Sequence, residues 1–187
     1  MVVDLRYFGS KNFVAKPLDG YKKEVVIISK PAAVALKKAQ KEFDKRNLRI
    51  KVFDTYRPQK AVNHFVRWAK NLNDTTNKRI YYPEVAKKDL FKLQYIASKS
   101  GHTRGSTIDL TLVTDENFEL DMGTPWDYFG PKSWPSDTTV SPTAQKNRAY
   151  LREVMLASGF VPYNEEWWHF TLKDEPFPET YFDFDVE

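Results

Sequence analysis

Apolar and polar positions change period several times along the chain, and each change marks an element. Ser29-Lys30-Pro31 reads as a helix start, with Pro tolerated in the first turn. The Ala-rich run Ala32 to Arg46 follows, with Val34, Leu36 and Phe43 among its apolar residues, and predicts a helix. Leu48-Arg49-Ile50-Lys51-Val52-Phe53 alternates as a half-buried strand does. Pro58 opens a second helix over roughly Gln59 to Leu72. Asn73 to Lys78 is polar and reads as a surface loop, and Pro83 to Ala97 carries a weak helical pattern.

Ser106 to Val113 is rich in Thr, Ile, Leu and Val and predicts a strand, followed by a turn at Asp115-Glu116-Asn117 into Phe118-Glu119-Leu120. Gly123 to Pro142 holds four prolines without periodicity and predicts a long loop. Ser141-Pro142 is an N-cap and N1 pair, and Gly159 a C′ residue. Between them Ala149, Leu151, Val154, Met155 and Leu156 mark a third long helix. Phe160 to Tyr163 and Trp167 to Leu172 read as two closing strands. This mixed order, with strands gathered late, predicts an α+β fold: helices against a largely antiparallel sheet.

No internal repeat or low-complexity stretch interrupts the pattern, and 187 residues fit one domain, 1–187, around a single core. Hydrophobic residues at 41% and charged residues at 29% exclude a disordered chain. Aromatic residues reach 15%, which suits a compact core or a walled pocket. No run approaches the roughly 18 apolar residues of a membrane span. The net charge of +4 comes from 29 basic and 25 acidic residues interleaved, with basic clusters no longer than pairs such as Lys22-Lys23. That is a solvated mixed-charge surface, and no nucleic-acid-binding stripe or module is expected. The opening MVVDLRYFGS lacks a charged leader followed by an apolar stretch, so the chain as it stands reads as cytoplasmic. A leader removed from it would make it periplasmic.

The chain has no cysteine, so thiolate metal sites and disulfides are excluded, and a metal must use His, Asp or Glu. Only three histidines exist, His64, His102 and His169. His64 shares a helical face with Trp68 and reads as structural. His102 lies just before the strand that carries Asp109, between Gly101 and Gly105, which allow the loop to fold back over the strand. Taken alone, this spacing is equally consistent with a turn-capping His and an Asp paired to Arg. Glu165-Glu166-Trp167-Trp168-His169 adds a second histidine. Two histidines and one carboxylate leave a fourth position for water, as a catalytic zinc site requires. In a regular strand Glu166 and His169 would face opposite sides, so service to one metal requires a bend or bulge near Trp167. A general base must approach that water without ligating the metal; Glu166 is the choice over Glu165, which reads as a solvated neighbour.

The run from Ser100 to Leu112, Ser-x-His-x-x-Gly-Ser-x-Ile-Asp-Leu-Thr-Leu, resembles the metal motif of the VanX-type D-alanyl-D-alanine dipeptidases. Glu166-Trp167-Trp168-His169 resembles their second motif, and Asp54-Thr55-Tyr56-Arg57-Pro58 the segment with their catalytic arginine. Asn12-Phe13, Asp19-Gly20-Tyr21, Tyr81-Tyr82-Pro83 and the tail through Phe184 extend the likeness over nearly the whole chain. Gly101 departs from it, standing where a serine is common, and Gly130 replaces an acidic residue. The resemblance implies one zinc ion on His102, Asp109 and His169, Glu166 as base, and Arg57 near the scissile carbonyl. It further implies Asp127 as receptor for the substrate ammonium, Tyr7 beside that amino end, and Ser100 against the substrate.

The expected reaction is zinc-dependent hydrolysis of D-Ala-D-Ala to two D-Ala. Two alternatives use the same residues differently: a zinc D,D-carboxypeptidase trimming peptidoglycan stems, and a non-catalytic peptidoglycan-binding module with a structural metal. An intact Glu166 and Arg57 speak against a mere binder, which needs neither. Removing D-Ala-D-Ala would serve glycopeptide resistance or D-Ala salvage equally well. A homo-oligomer is compatible with the sequence.

Overall fold

The computed structural model describes all residues 1–187. A five-stranded sheet has the order β1-β2-β3-β5-β4. β1 (Val2–Val3) runs parallel to β2 (Leu48–Asp54); β3 (Thr107–Thr114), β5 (His169–Leu172) and β4 (Phe160–Pro162) continue antiparallel. Four helices accompany it: α1 (Lys30–Asp44), α2 (Gln59–Lys70), the single turn α3 (Lys78–Tyr81) and α4 (Pro142–Ala157). The expected α+β class with a mostly antiparallel sheet is what the chain adopts. No helix is long and apolar enough to cross a membrane.

Capping sets the helix starts. Ser29 Oγ accepts from the Ala32 amide, and Ser141 Oγ accepts from the Ala144 amide at 3.0 Å, each with Pro in the first turn. Ser141→Ala should lower stability by about 1 kcal/mol, read as a lower denaturant midpoint at unchanged slope. Gly159, at φ +101°, lets the chain leave α4 into β4.

The buried stripe of α1 is Ala32, Leu36, Ala39 and Phe43, the i, i+4, i+7, i+11 series of a helix on a sheet. Val34, an expected apolar contributor, stands 70% exposed. In α4 the buried residues are Ala144, Arg148, Leu151, Val154 and Met155, whereas Ala149 and Leu156 face solvent. α1 and α4 pack side by side, where Phe43 meets Tyr150 edge-on at 5.7 Å and Arg46 covers the same Tyr150 ring. α2 buries Phe65 and Trp68 in an aromatic cluster with Tyr7, Phe13 and Phe129. The 15% aromatic content thus builds both core and pocket wall.

Two expectations need correction. Residues 83–97 form no α-helix, only a 3₁₀ turn at Lys87–Asp89. Val85, Leu90 and Ile96 are buried, but Leu90, five and six residues from the other two, shares no helical face with them, so they form no continuous helical stripe. Trp167 and Trp168 are not part of a strand; they lie in a turn, and β5 begins at His169.

Strand register then gathers polar residues at one end of the sheet. Val52 pairs with Leu110 but Asp54 with Asp109, so a β-bulge at Phe53 sets two residues of β2 against one of β3. Across the other edge of β3, Asp109 pairs with His169. Asp54, Asp109 and His169 therefore stand abreast on three adjacent strands.

Candidate metal centre

His102 reaches this row from a 3₁₀ turn at Gly101–Arg104. Ser100 caps the turn by accepting from the His102 amide at 3.3 Å, and Gly105, at φ +78°, reverses the chain into β3. His102 Nδ1 lies 2.7 Å from the Thr55 carbonyl oxygen. A carbonyl only accepts, so Nδ1 carries the proton and Nε2 presents a lone pair.

That lone pair lies beside both Asp109 and His169. Asp109 Oδ1 lies 3.2 Å from His102 Nε2 and 3.1 Å from His169 Nδ1, and the two nitrogens are 3.3 Å apart. Oδ1 is buried, yet it accepts no well-directed hydrogen bond. Three ligand-type atoms crowd together, only the two imidazole nitrogens are placed to hydrogen-bond, and the buried Asp109 Oδ1 is left without a partner, which is costly unless something lies between them. A tetrahedral zinc site with bonds of about 2.0–2.1 Å has ligand-to-ligand edges of about 3.3–3.4 Å. The observed edges match that size, and imidazole and carboxylate are the donor types zinc accepts without thiolates. His102, Asp109 and His169 thus form a group that could hold a metal ion.

The surrounding groups orient this triad. Asp109 Oδ2 accepts from the Trp126 indole N–H at 3.2 Å. Asp54 is fully buried: Oδ1 accepts from the Tyr21 hydroxyl at 2.6 Å, and Oδ2 from Arg57 Nε at 2.9 Å while lying 3.4 Å from His102 Nδ1. Burial pushes the Asp54 carboxyl up, against the pull of Arg57. Arg57 is held from all sides. Its guanidinium bridges Asp54, lies over the rings of Tyr7 at 4.8 Å and Phe65 at 5.1 Å, donates to Ser100 Oγ at 3.4 Å, and comes within 3.8 Å of Asp109 Oδ2.

Glu166 stands in the turn before β5, with Oε2 3.4 Å from His169 Nδ1. The turn, closed by the His169 amide on the Glu166 carbonyl, is the bend that the sequence required for both side chains to share one side. Burial lifts the Glu166 carboxyl to about 7; His169 and Arg57 pull it down, and Asp109 pushes it further up. Glu165, by contrast, turns to the Tyr163 hydroxyl. Asp127 sits in the long loop at φ +59°, with Oδ2 accepting from the Tyr7 hydroxyl at 2.6 Å. Burial first, and then the charge of Asp109, raises the Asp127 carboxyl well above the usual range.

A cavity of about 310 Å³ opens over this arrangement. All eight residues singled out in the sequence line it: Tyr7, Arg57, Ser100, His102, Asp109, Asp127, Glu166 and His169. His64 lies elsewhere, where its Nδ1 accepts from the Asp19 amide. Sequence reasoning missed Asp54, Tyr21 and Trp126. Asp54 had a usable signal, an acid three residues before Arg57 in a strand-to-helix turn; the indole of Trp126 had none.

Comparison with known proteins agrees with this geometry. The peptidase M15 family model, described as D-ala-D-ala dipeptidase, matches residues 1–187. A D-alanyl-D-alanine dipeptidase of Enterococcus faecalis is 41% identical over 184 residues, covering 98% of this chain and 91% of the relative. One of Streptomyces coelicolor is 40% identical with the same coverage. One of Escherichia coli is 31% identical over 170 residues, 91% of this chain and 78% of the relative. A His-Asp-His group lining a cavity and similarity along the full length lead to one assignment: the chain belongs to the peptidase M15 family of D-ala-D-ala dipeptidases.

Proposed function

We propose that the chain, acting as one catalytic domain, is a zinc-dependent dipeptidase that hydrolyses D-Ala-D-Ala to two D-Ala. One observation carries the reading: Asp109 Oδ1 is buried between two imidazole nitrogens with no hydrogen bond of its own, and a second carboxyl, Glu166, stands beside them. His102, Asp109 and His169 would hold the zinc. When bound, zinc supplies a Lewis acid that polarises the scissile carbonyl and makes water a better nucleophile.

The remaining chemistry belongs to the side chains. Glu166 takes the proton of the attacking water and returns it to the leaving amine. Arg57, immobilised by Asp54 and two rings, presents its guanidinium to the oxyanion of the tetrahedral species. Trp126 and the Thr55 carbonyl orient Asp109 and His102. Asp127 pairs with the ammonium of the free dipeptide, Tyr7 holds the Asp127 carboxyl by its hydroxyl, and Ser100 contacts the substrate beside Arg57.

Asp127→Asn should raise KM for the free dipeptide about 30-fold or more, the 2–5 kcal/mol effect of removing one member of a buried charged pair. kcat should change little, and an unchanged KM in steady-state assays removes the ammonium role. The whole reading is tested by hydrolysis of D-Ala-D-Ala, N-acylated D-Ala-D-Ala and L-Ala-L-Ala by the zinc-loaded protein, with and without chelator. Chelator-sensitive cleavage of the free D,D-dipeptide alone is expected. Cleavage of the acylated substrate makes the protein a carboxypeptidase, and no cleavage with zinc bound makes it a binding module.

A further inference from the structure

α4 carries one charged residue in its apolar stripe. Ala144, Arg148, Leu151 and Met155 follow the spacing of a core face, and Arg148 is 3% exposed. Its guanidinium donates from Nε to the Met122 carbonyl at 2.7 Å, from one terminal nitrogen to the Trp134 carbonyl at 3.0 Å, and from the other to the Lys132 carbonyl at 2.8 Å. All three acceptors are main chain, and they bracket the loop whose middle carries Trp126 and Asp127. This loop has no regular ladder to occupy its inward carbonyls, and a planar guanidinium serves three of them from three separate nitrogens in a fixed fork, where an ammonium would have to reach all three from one.

The bracketed loop is tied within itself and to the catalytic turn. Ser133 Oγ donates to the Tyr128 carbonyl at 2.7 Å and lies 3.1 Å from Thr124 Oγ. The Ser133 carbonyl accepts from the Trp167 amide at 3.0 Å, and Thr124 Oγ accepts from the Trp167 indole at 2.9 Å. Asp127 sits at φ +59°, a left-handed conformation that a non-glycine residue keeps only where its surroundings hold it.

We propose that Arg148 is a positioning residue for the amino-end pocket: from the far side of the loop it fixes the main chain that presents Asp127 to the substrate ammonium. The inference rests on the reading of Asp127 given above. Arg148 touches no substrate, so its effect is transmitted through Asp127.

A double-mutant cycle on the zinc-loaded full chain tests this, with wild type, Arg148→Lys, Asp127→Asn and the double variant assayed on D-Ala-D-Ala below their unfolding temperatures. Arg148→Lys should raise KM about five- to tenfold, with kcat within about twofold and zinc content unchanged. In the Asp127→Asn background the same change should have no further effect on KM. A purely structural arginine would lower the unfolding temperature without that coupling. Additive effects, or an unchanged KM in Arg148→Lys, overturn the proposal while leaving the Asp127 reading intact. A raised KM in Arg148→Lys beside an unchanged KM in Asp127→Asn sinks both. Should Arg148→Lys not fold, Arg148→Gln, which retains an N–H₂ group without the charge, takes its place in the cycle with the same outcomes.

Discussion

Glu166→Gln should retain bound zinc and lose turnover by about 10²–10⁴-fold, the usual worth of a positioned general base. The amide keeps the shape and the place in the turn before β5, so the fall should appear in kcat with little change in KM. Metal analysis of the purified variant is the control. Loss of zinc would make Glu166 a ligand, and full activity would dismiss it as base. The pH profile carries a second signature. Burial lifts this carboxyl to about 7 in the metal-free chain. A dication beside it favours the carboxylate, so the acid limb of the loaded enzyme should fall below pH 7. Activity should rise with pH through that limb, because the base works only when ionised, and the limb should vanish in Glu166→Gln.

Arg57→Ala should produce two large effects at once. Removing a fixed donor to an oxyanion costs about 10²–10³ in kcat. It also strips the partner from Asp54, whose carboxylate is fully buried, and breaking such a pair costs about 3–5 kcal/mol of stability. The two effects separate in Arg57→Lys, which keeps a charge for Asp54 but cannot reproduce the fork. Stability should return in part while turnover stays low; recovery of both together would leave Arg57 with a structural role only. The stability loss in Arg57→Ala should depend on pH. Burial already raises the Asp54 carboxyl, and losing Arg57 removes the largest pull against it. Below pH of about 4 the group is protonated folded and unfolded, and the penalty is absent. The penalty grows as pH climbs above the unfolded value and levels off past the raised folded one. Denaturant titrations of the metal-free variant across that window read it directly.

Much of this protein is legible in one dimension. Period and capping locate α1, α2, α4, β2 and β3 to within a few residues, because these signals are local: a serine takes the amide three residues on, and a buried stripe repeats with its own helix. The absence of cysteine limits metal donors to imidazole and carboxylate, and the Glu-Trp-Trp-His run demands a bend that the chain makes. Tertiary structure decided what depends on partners far along the chain. The bulge at Phe53 sets Asp54 opposite Asp109, and the β3–β5 register sets Asp109 beside His169; neither register is written in a single strand. Tyr7 meets Asp127 across 120 positions. Asp54, Trp126 and Arg148 could not be assigned from composition or spacing, since the identity of the group that satisfies a buried donor or acceptor is a property of the packed chain. Residues 83–97 misled for the same reason: Val85, Leu90 and Ile96 are apolar because the core takes them, not because they form a continuous helical stripe.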